Sequence, residues 1–308
     1  MVISTILEDD HNVIGKTIKH RRKKHTILGT LDPKFSERVY LAGATPNTVR
    51  SAIKVERIHD HGNNVPEEHS LYKYLQSVGF INIPKVLCMK SDGKFTYLVL
   101  ECLNKNLHRR LMDKSAPLSL ETVLYLSVKA FKMVEELHSV GVLHGLISPR
   151  KIMTGSSPSK EEELYIVGFR YSVNLVTHPI PSKTLPIMET MFASLTLHEV
   201  GHATMTGDLE SLFFSMVFLY KGTLPWSSYC DGIGKFCVHG TMHPLYKAKK
   251  AMSSKELLEG LPDCFVDAFR QIRCTPHFEL PSYQRIYQPL EDYLTSKFPQ
   301  KKSRIEWL

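Results

Sequence analysis

The segment from Asp208 to Gly222, DLESLFFSMVFLYKG, is apolar on nearly every side of the helix that its spacing predicts. Asp208 is the predicted cap of this helix. A helix that is apolar all round is stable only where other elements cover it, because exposed apolar surface is costly in water. The segment is therefore predicted to lie in the middle of a helical lobe.

Further helices are predicted around this segment. One begins after the N-cap residue Ser119 and repeats apolar residues at steps of three and four. Two more are predicted in LPDCFVDAFRQIR and SYQRIYQPLEDYLTSKF, toward the C-terminus. The apolar residues of the helix after Ser119 are Val123, Leu126, Ala130, Met133 and Leu137.

The first hundred residues have a different pattern, which predicts five strands and one helix. The helix carries Leu71, Leu75 and Val78 on its apolar face and ends at Gly79. A turn at Pro46-Asn47 is predicted to join the second and third strands. Residues 1 to 25 show no sustained periodicity and are predicted to form an arm. The five strand segments are HTILGTL, ERVYLA, VRSAIKVE, KVLCMK and KFTYLVLE.

The formal net charge of +8 is concentrated near the start of the chain. A run of basic residues without an intervening acid is typical of a nuclear-import signal or of a site for an anionic partner such as nucleic acid. The alternative is a solvated basic strand or loop on the surface. The basic residues of this run are Lys16, Lys19, Arg21, Arg22, Lys23 and Lys24.

Composition predicts an intracellular protein, nuclear or cytoplasmic, with no membrane partner. The hydrophobic fraction is 43%, and no stretch reaches the roughly 18 apolar residues that a membrane-spanning helix needs. The six cysteines are predicted to be reduced thiols. Zinc is conceivable at Cys230, Cys237, His239 and His243, but their spacing matches no strong finger signature. Neither a metal nor a cofactor is predicted.

Several motifs in this order resemble the protein-kinase fold, and specifically the casein-kinase-I and vaccinia-related-kinase superfamily. AIKVE is similar to the strand with the ATP-pairing lysine, here Lys54, and Glu68 lies where its partner glutamate is expected. LVLECL resembles the hinge segment. LHGLISPRKIM, with its His144-Gly145 pair, resembles the catalytic loop, and YIVGFR resembles the metal-binding turn. MFASLTLHEVGHATMTGDLESL resembles the segment leading into the central helix, with Asp208 as that helix's anchoring aspartate, and KGTLPW ends at Trp226.

The resemblance covers about Thr26 to Phe298 and implies an α+β, bilobal protein-kinase-like fold. That fold has a small antiparallel β-lobe with one helix and a larger helical lobe. The implied domains are a basic arm at 1–25, the N-lobe at 26–103, the C-lobe at 104–298 and a tail at 299–308.

The resemblance also assigns phosphoryl-transfer roles to positions that hold other residue types. In the catalytic loop, Leu146, Ser148 and Lys151 replace the catalytic aspartate, the lysine and the metal-binding asparagine. In the metal-binding turn, Gly168 and Arg170 replace the aspartate and the glycine. A leucine cannot accept a proton and an ammonium cannot bind magnesium.

The phosphate-covering turn is also unusual, because it keeps at most one glycine, Gly29. Its other residues include a proline, which lacks an N–H, and acids, which repel phosphate. These changes together imply a pseudokinase without enzyme activity. The residues in or beside this turn are Asp32, Pro33, Lys34 and Glu37.

The sequence therefore predicts a catalytically inactive pseudokinase that binds protein partners as a scaffold or regulator, of an active kinase relative or of a nuclear complex. Lys54 and Glu68 are interpreted mainly as a pair that fastens the helix to the sheet. A role in nucleotide binding is the alternative, which gives an atypical or weakly active Ser/Thr kinase. A third hypothesis is a nucleic-acid or chromatin-associated factor that uses the basic arm.

Overall fold

The structure is a computed structural model of the 308-residue chain. It divides into two compact units, Met1–Asn104 and Lys105–Leu308. The residues that the structure describes are 13–31, 38–44, 49–58, 64–178, 191–230, 244–277, 279–299 and 305–307.

The first unit is an antiparallel six-stranded sheet with one described helix, α1 (Asn64–Ser77). The strand order is β1-β2-β3-β4-β6-β5, so β4 and β6 lie inside the sheet and β1 is an edge strand. The strands are β1 (Thr17–His20), β2 (Lys23–Thr30), β3 (Val39–Gly43), β4 (Val49–Arg57), β5 (Val86–Ser91) and β6 (Phe95–Glu101).

One face of this sheet forms an apolar core. Alternation along β4 turns Ile53 and Val55 inward, because successive side chains in a strand point to opposite faces. Tyr97 and Val99 of β6 belong to the same core. Ile18 of β1 also joins it, which fixes the inner face of that edge strand.

In the part of the chain that the structure describes, the second unit is mainly helical and also contains two small antiparallel strand pairs. β7 (Val142–Leu143) pairs with β10 (Val173–Asn174), and β8 (Ile152–Thr154) pairs with β9 (Leu164–Ile166). The described helices are α2 (Leu107–Lys114), α3 (Leu120–Ser139), α4 (Leu195–Val200), α5 (Met205–Lys221), α6 (Pro244–Ala251), α7 (Ser254–Leu258), α8 (Asp263–Cys274) and α9 (Tyr283–Lys297).

The two strongest helix predictions are confirmed. Ser119 caps α3, since its side-chain oxygen accepts a hydrogen bond from Thr122 N, and the predicted apolar face of α3 is buried. The apolar segment forms α5, which is buried along most of its length. The predicted cap is wrong, because Thr204 caps α5 by accepting from Gly207 N at 2.9 Å, and Asp208 lies in the first turn.

Two predictions for the first unit also need correction. The predicted arm at 1–25 overlaps β1 and the start of β2, so at least residues 17–25 belong to the sheet. Val78 was expected on the buried face of α1, but the helix ends at Ser77 and Val78 is 42% exposed. Gly79 follows with φ +81°, the left-handed conformation that ends many helices.

Some predicted features lie outside the described residues. These are the turn at Pro46-Asn47, the phosphate-turn residues Asp32, Pro33, Lys34 and Glu37, and the zinc candidates Cys237, His239 and His243. In the described ranges, no helix has the length and apolar character needed to cross a membrane. Those ranges also contain no group of three or more His, Cys, Asp or Glu side chains placed to hold a metal ion.

Candidate functional site

The loop after β7 is held in place by the carboxylate of Asp208. The backbone N–H of His144 donates to Asp208 Oδ2 at 2.7 Å, and the N–H of Gly145 donates to Oδ1 at 2.8 Å. Asp208 is 2% exposed, so it satisfies two buried donors away from water. The predicted structural role of this aspartate is therefore confirmed.

His144 connects this loop to the turn after β9. Its Nε2 lies 3.1 Å from Val167 O, and its Nδ1 lies 3.2 Å from Leu146 N. These partners favour the neutral tautomer with the proton on Nε2. The imidazole also packs on the ring of Phe169, with the ring centroids 5.3 Å apart. The loop and the turn thus form one hydrogen-bonded structure.

The position assigned to the catalytic aspartate is occupied by a packed leucine. Leu146 is 5% exposed and belongs to an apolar cluster with Tyr171, Ala193 and Leu197. Ser148, at the position of the lysine, is fully buried, and its hydroxyl has no hydrogen-bond partner among the described residues. Leu146 therefore packs inside the second unit, and Ser148 is shielded from solvent.

The two positions assigned to metal ligands lie against each other. Lys151 is 4% exposed, although a lysine side chain is normally solvated. Gly168 has φ +84°, and a Cβ built on it would lie 2.9 Å from both Cδ and Nζ of Lys151. The side chain of Lys151 thus fills the space beside Gly168. Arg170 is half-buried, with its guanidinium 5.7 Å from the ring centroid of Tyr171.

In the first unit, Lys54 and Glu68 meet in a buried ion pair. Lys54 Nζ donates to Glu68 Oε2 at 2.6 Å, and the two side chains are 9% and 1% exposed. The pair joins β4 to α1. The same geometry is required both for fastening the helix and for orienting a lysine toward a nucleotide, so it fits both interpretations.

In the structure, the six basic residues near the start of the chain fall into two groups, one engaged within the first unit and the other exposed. The ammonium of Lys16 pairs with Asp92 and lies 5.1 Å from the ring centroid of Tyr97, so Lys16 is engaged within the first unit. The other five lie on the β1–β2 hairpin and are exposed. These five are Lys19, Arg21, Arg22, Lys23 and Lys24.

Sequence reasoning missed His138, which is a partner of Asp208, and Tyr283, which is a partner of His138. His138 Nε2 lies 3.1 Å from Asp208 Oδ2, and His138 Nδ1 lies 2.7 Å from the hydroxyl of Tyr283. Burial raises the pKa of the Tyr283 phenol, and the carboxylates of Asp208 and Glu135 raise it further. A polar residue at the end of the apolar face of α3 was a weak signal for His138, whereas nothing local pointed to Tyr283.

A second buried carboxylate supports the segment before α4. Glu210 accepts from Leu195 N at 2.7 Å and forms a 2.7 Å ion pair with Arg273 of α8. Burial raises the pKa of Glu210, and the positive charge of Arg273 opposes that shift. Lys249 Nζ also donates to Ala193 O in this segment at 2.7 Å. The segment is therefore anchored by α5, α6 and α8 together.

Comparison with known proteins identifies kinases as relatives. The chain is 22% identical over 267 residues to a probable serine/threonine-protein kinase of Dictyostelium discoideum, an alignment covering 85% of this chain and 52% of the relative. It is 24% identical over 307 residues to the serine/threonine-protein kinase spe-6 of Caenorhabditis elegans, covering 95% of this chain and 78% of the relative. The chain thus spans about half the length of the Dictyostelium relative. No family model matches the chain.

These relatives and the architecture together establish the fold. The chain has an α+β protein-kinase-like fold, with an antiparallel sheet lobe that contains one described helix and a larger helical lobe.

The relatives also contradict one prediction. The substitutions at a few motif positions led to the expectation that the chain is not an enzyme. Both relatives are named as serine/threonine-protein kinases, and their similarity extends over most of the chain. That prediction is therefore wrong as it stands, because residue types at isolated positions carry less weight than similarity over the whole fold. The chain is a kinase-like protein.

Proposed function

We propose that this kinase-like protein acts as a protein-binding scaffold or regulator that positions a partner, either an active kinase relative or a nuclear complex. The observation that supports this proposal is the anchoring of the loop at His144–Lys151. Its backbone is fixed by Asp208, and Leu146 and Lys151 are packed into the second unit. A buried loop anchored in this way holds the exposed surface around it in the same conformation before and after binding, which lowers the ordering cost of association.

The test is capture of partners by the full chain, followed by reconstitution of each candidate pair from purified proteins. Captures are treated with nuclease, so that proteins bridged by nucleic acid are removed. A partner that binds the purified chain directly, with a measured Kd, supports the proposal. Captures that repeatedly contain only background proteins contradict it.

A second candidate function is ATP-dependent phosphorylation of serine or threonine. It is favoured by the kinase names of both relatives and by the buried Lys54–Glu68 pair, since a lysine held in this way is suited to pairing with phosphate oxygens. Nucleotide that binds only the folded protein raises its stability by an amount that grows with the logarithm of nucleotide concentration.

Thermal unfolding with increasing ATP, with and without magnesium, tests the second candidate. Saturable stabilisation that is lost in Lys54→Met but kept in Lys85→Met supports it, because Lys85 is exposed. Transfer of labelled phosphate to serine- and threonine-containing peptides is measured on the same samples. A flat unfolding temperature at millimolar ATP, with no labelled product, contradicts this candidate.

Two finer assignments belong to the same proposal. We place the chain in the casein-kinase-I and vaccinia-related-kinase superfamily, on the strength of the His144-Gly145 pair and of the segment that leads into α5. We also assign it an intracellular location, nuclear or cytoplasmic. Localisation of the tagged chain by microscopy tests this assignment, and secretion of the chain would contradict it.

A further inference from the structure

We propose that the β1–β2 hairpin, here called the basic hairpin (Lys19–Lys24), binds the phosphodiester backbone of nucleic acid without reading its sequence. The six residues KHRRKK carry five Lys or Arg side chains, all exposed. From residue 13 to residue 31 the chain contains neither Asp nor Glu. The hairpin is therefore a compact positive surface on the edge of the sheet.

The pairing of β1 with β2 fixes where these charges lie. Lys19 is directly opposite Lys24, and His20 is opposite Lys23. Opposed residues in an antiparallel pair have Cβ atoms about 5 Å apart, and like charges so placed destabilise the pair. Arg21, in the turn, has φ 51°, a left-handed conformation that is unfavourable for a residue with a Cβ. Bound anions would relieve the repulsion between these charges.

The buried face of the hairpin holds it in one orientation. Ile18 is 6% exposed in the apolar core, and it lies opposite His25, which is also buried. His25 Nδ1 lies 2.9 Å from Ser51 Oγ of β4. Because side chains alternate along a strand, the inward direction of Ile18 and His25 places Lys19 and Lys24 on the solvent side.

The cations of the basic hairpin differ from the neighbouring Lys16 in their ion pairing. Lys16 is bound to Asp92, and this pair leaves little positive charge for a ligand. By contrast, none of the five exposed cations has an ion pair with any residue that the structure describes. Their charge is therefore available to an external anion.

The chemistry of the basic hairpin favours nucleic acid over other anionic surfaces. Between Lys19 and Lys24 there is no apolar side chain to insert into a lipid surface. The centres of protein interfaces are enriched in aromatic and apolar groups and depleted in lysine, which this surface does not match. A row of phosphates needs only fixed positive charges. The hairpin has no Asn, Gln, Phe, Tyr or Trp, and contacts between its cations and phosphates carry no sequence information, so its binding should be independent of sequence.

Lysines on an edge strand also have a purely structural use, since they discourage pairing with another chain. This alternative predicts no affinity for nucleic acid. The experiment therefore measures binding of the full chain to a fluorescein-labelled duplex DNA of random sequence and to a single strand of the same length, by anisotropy, at several salt concentrations.

Five phosphate contacts predict that log K falls with log [salt] with a slope of about −4.5 for the duplex and about −3.5 for the single strand. Between about 50 and 200 mM salt the affinity for the duplex should fall about 10²–10³-fold. The variant with all five cations replaced by Gln should lose measurable binding. Its matched control replaces five other exposed lysines by Gln and should bind like the wild type. The control positions are Lys73, Lys85, Lys247, Lys255 and Lys297.

Both variants lower the formal net charge of +8 by five, so a difference between them reports the position of the charges and not their number. Thermal unfolding of each variant verifies that it is folded. Equal binding by the two variants overturns the proposal. Stronger binding to phosphatidylserine vesicles or to polyglutamate than to DNA also overturns it, since it would make a membrane or an acidic protein the better ligand.

Discussion

At the scale of single residues, Gly168 shows how a backbone conformation and one neighbour restrict a position. Its φ of +84° favours glycine, and a Cβ there would lie 2.9 Å from Lys151 Cδ and Nζ. Replacing Gly168 therefore adds backbone strain and a steric contact at the same time. This contact couples the turn after β9 to the loop at His144–Lys151, in addition to the contacts of His144 with Val167 and Phe169.

We predict that Gly168→Ala lowers the free energy of unfolding by about 2–3 kcal/mol, from about 1–2 kcal/mol of backbone strain and the rest from the contact with Lys151. The matched control is Gly93→Ala, since Gly93 has φ +87° and no atom within 4 Å of an added Cβ. Gly93→Ala should lower the free energy of unfolding by the backbone strain alone. Urea unfolding measures both variants.

The contact with Lys151 is tested by the same substitution in a Lys151→Ala background. There the cost of Gly168→Ala should fall to that of Gly93→Ala, because the blocking side chain has been shortened. An unchanged cost would show that Lys151 moves aside freely and that the two positions are independent.

Local sequence signals decided which residues could be predicted. Ser119 was found because a cap and the apolar repeat behind it lie within a few residues of each other. Ser148 and Lys151 were predicted only as replacements for catalytic groups. Their burial follows from packing against distant segments, and no local pattern reports such contacts.

At the scale of elements, α5 orders the loop after β7 through the carboxylate of Asp208. The backbone N–H groups of His144 and Gly145, and Nε2 of His138, all point at this carboxylate. Hydrogen bonds to a charged group are worth about 1.5–3 kcal/mol each, and a buried donor left without a partner costs about 1–3 kcal/mol.

We therefore predict that Asp208→Ala lowers the free energy of unfolding by about 4 kcal/mol, since two backbone donors lose their acceptor. Tyr283→Phe should cost only about 1 kcal/mol, because it removes one hydrogen bond to His138 and leaves the loop anchored. Chemical denaturation gives both values. Similar costs for the two variants would show that the loop does not depend on Asp208.

Lys16, directly before β1, is tied to the turn between β5 and β6 through Asp92. Burial alone would raise the pKa of the Asp92 carboxyl, but hydrogen bonds from Lys16, Phe95, Tyr97 and Lys94 hold it well below its ordinary value. A lowered pKa means that the charged carboxylate stabilises the fold. This contribution is complete above the pKa of the unfolded chain, near 4, and is lost as the pH falls.

We predict that Asp92→Asn destabilises the protein by roughly 1 kcal/mol at pH 7, because the ion pair with Lys16 is partly exposed. The difference between wild type and variant should shrink as the pH falls below about 5. Unfolding midpoints in urea at a series of pH values measure this difference between wild type and variant. A difference that is constant from pH 7 to pH 3 would show that the charge of Asp92 has no part in stability.

The elements differed in how well the sequence predicted them. α3 and α5 have long periodic or apolar segments and were found with nearly correct limits. β1 was missed because only Ile18 among its four residues is apolar, and its stability comes from pairing with β2 and from the core beneath it. Strand pairing is a non-local contact, which no local pattern reports. The run of basic residues also concealed the weak alternation of polar and apolar residues in β1.

At the scale of the whole molecule, both the positive charges and the buried side chains are distributed unevenly. The five exposed cations of the basic hairpin, which have no ion pair with a described residue, lie on the edge of the sheet. Buried cations such as Lys54, Lys151 and Lys249 are enclosed within the two units. A polyanion would therefore approach the first unit at its edge strand.

The same uneven burial predicts how amide exchange varies along the chain. Interior elements open only in large unfolding events, whereas edges open locally at low cost. α5 is buried along nearly its whole length, and β4 is paired on both sides, with β3 and with β6. We predict that the slowest amide exchange in the described chain lies in α5 and in β4 and β6, and that β1 exchanges much faster.

Hydrogen exchange followed by mass spectrometry measures this order. Asp208→Ala should speed exchange in the loop from His144 to Lys151 before it affects the centre of α5, because the loop depends on the carboxylate while the helix depends on its apolar contacts. Tyr283→Phe is the control and should leave the exchange of the loop nearly unchanged. If β1 were protected as strongly as β4, then the edge strand would be covered in solution, and the basic hairpin would not be open to nucleic acid.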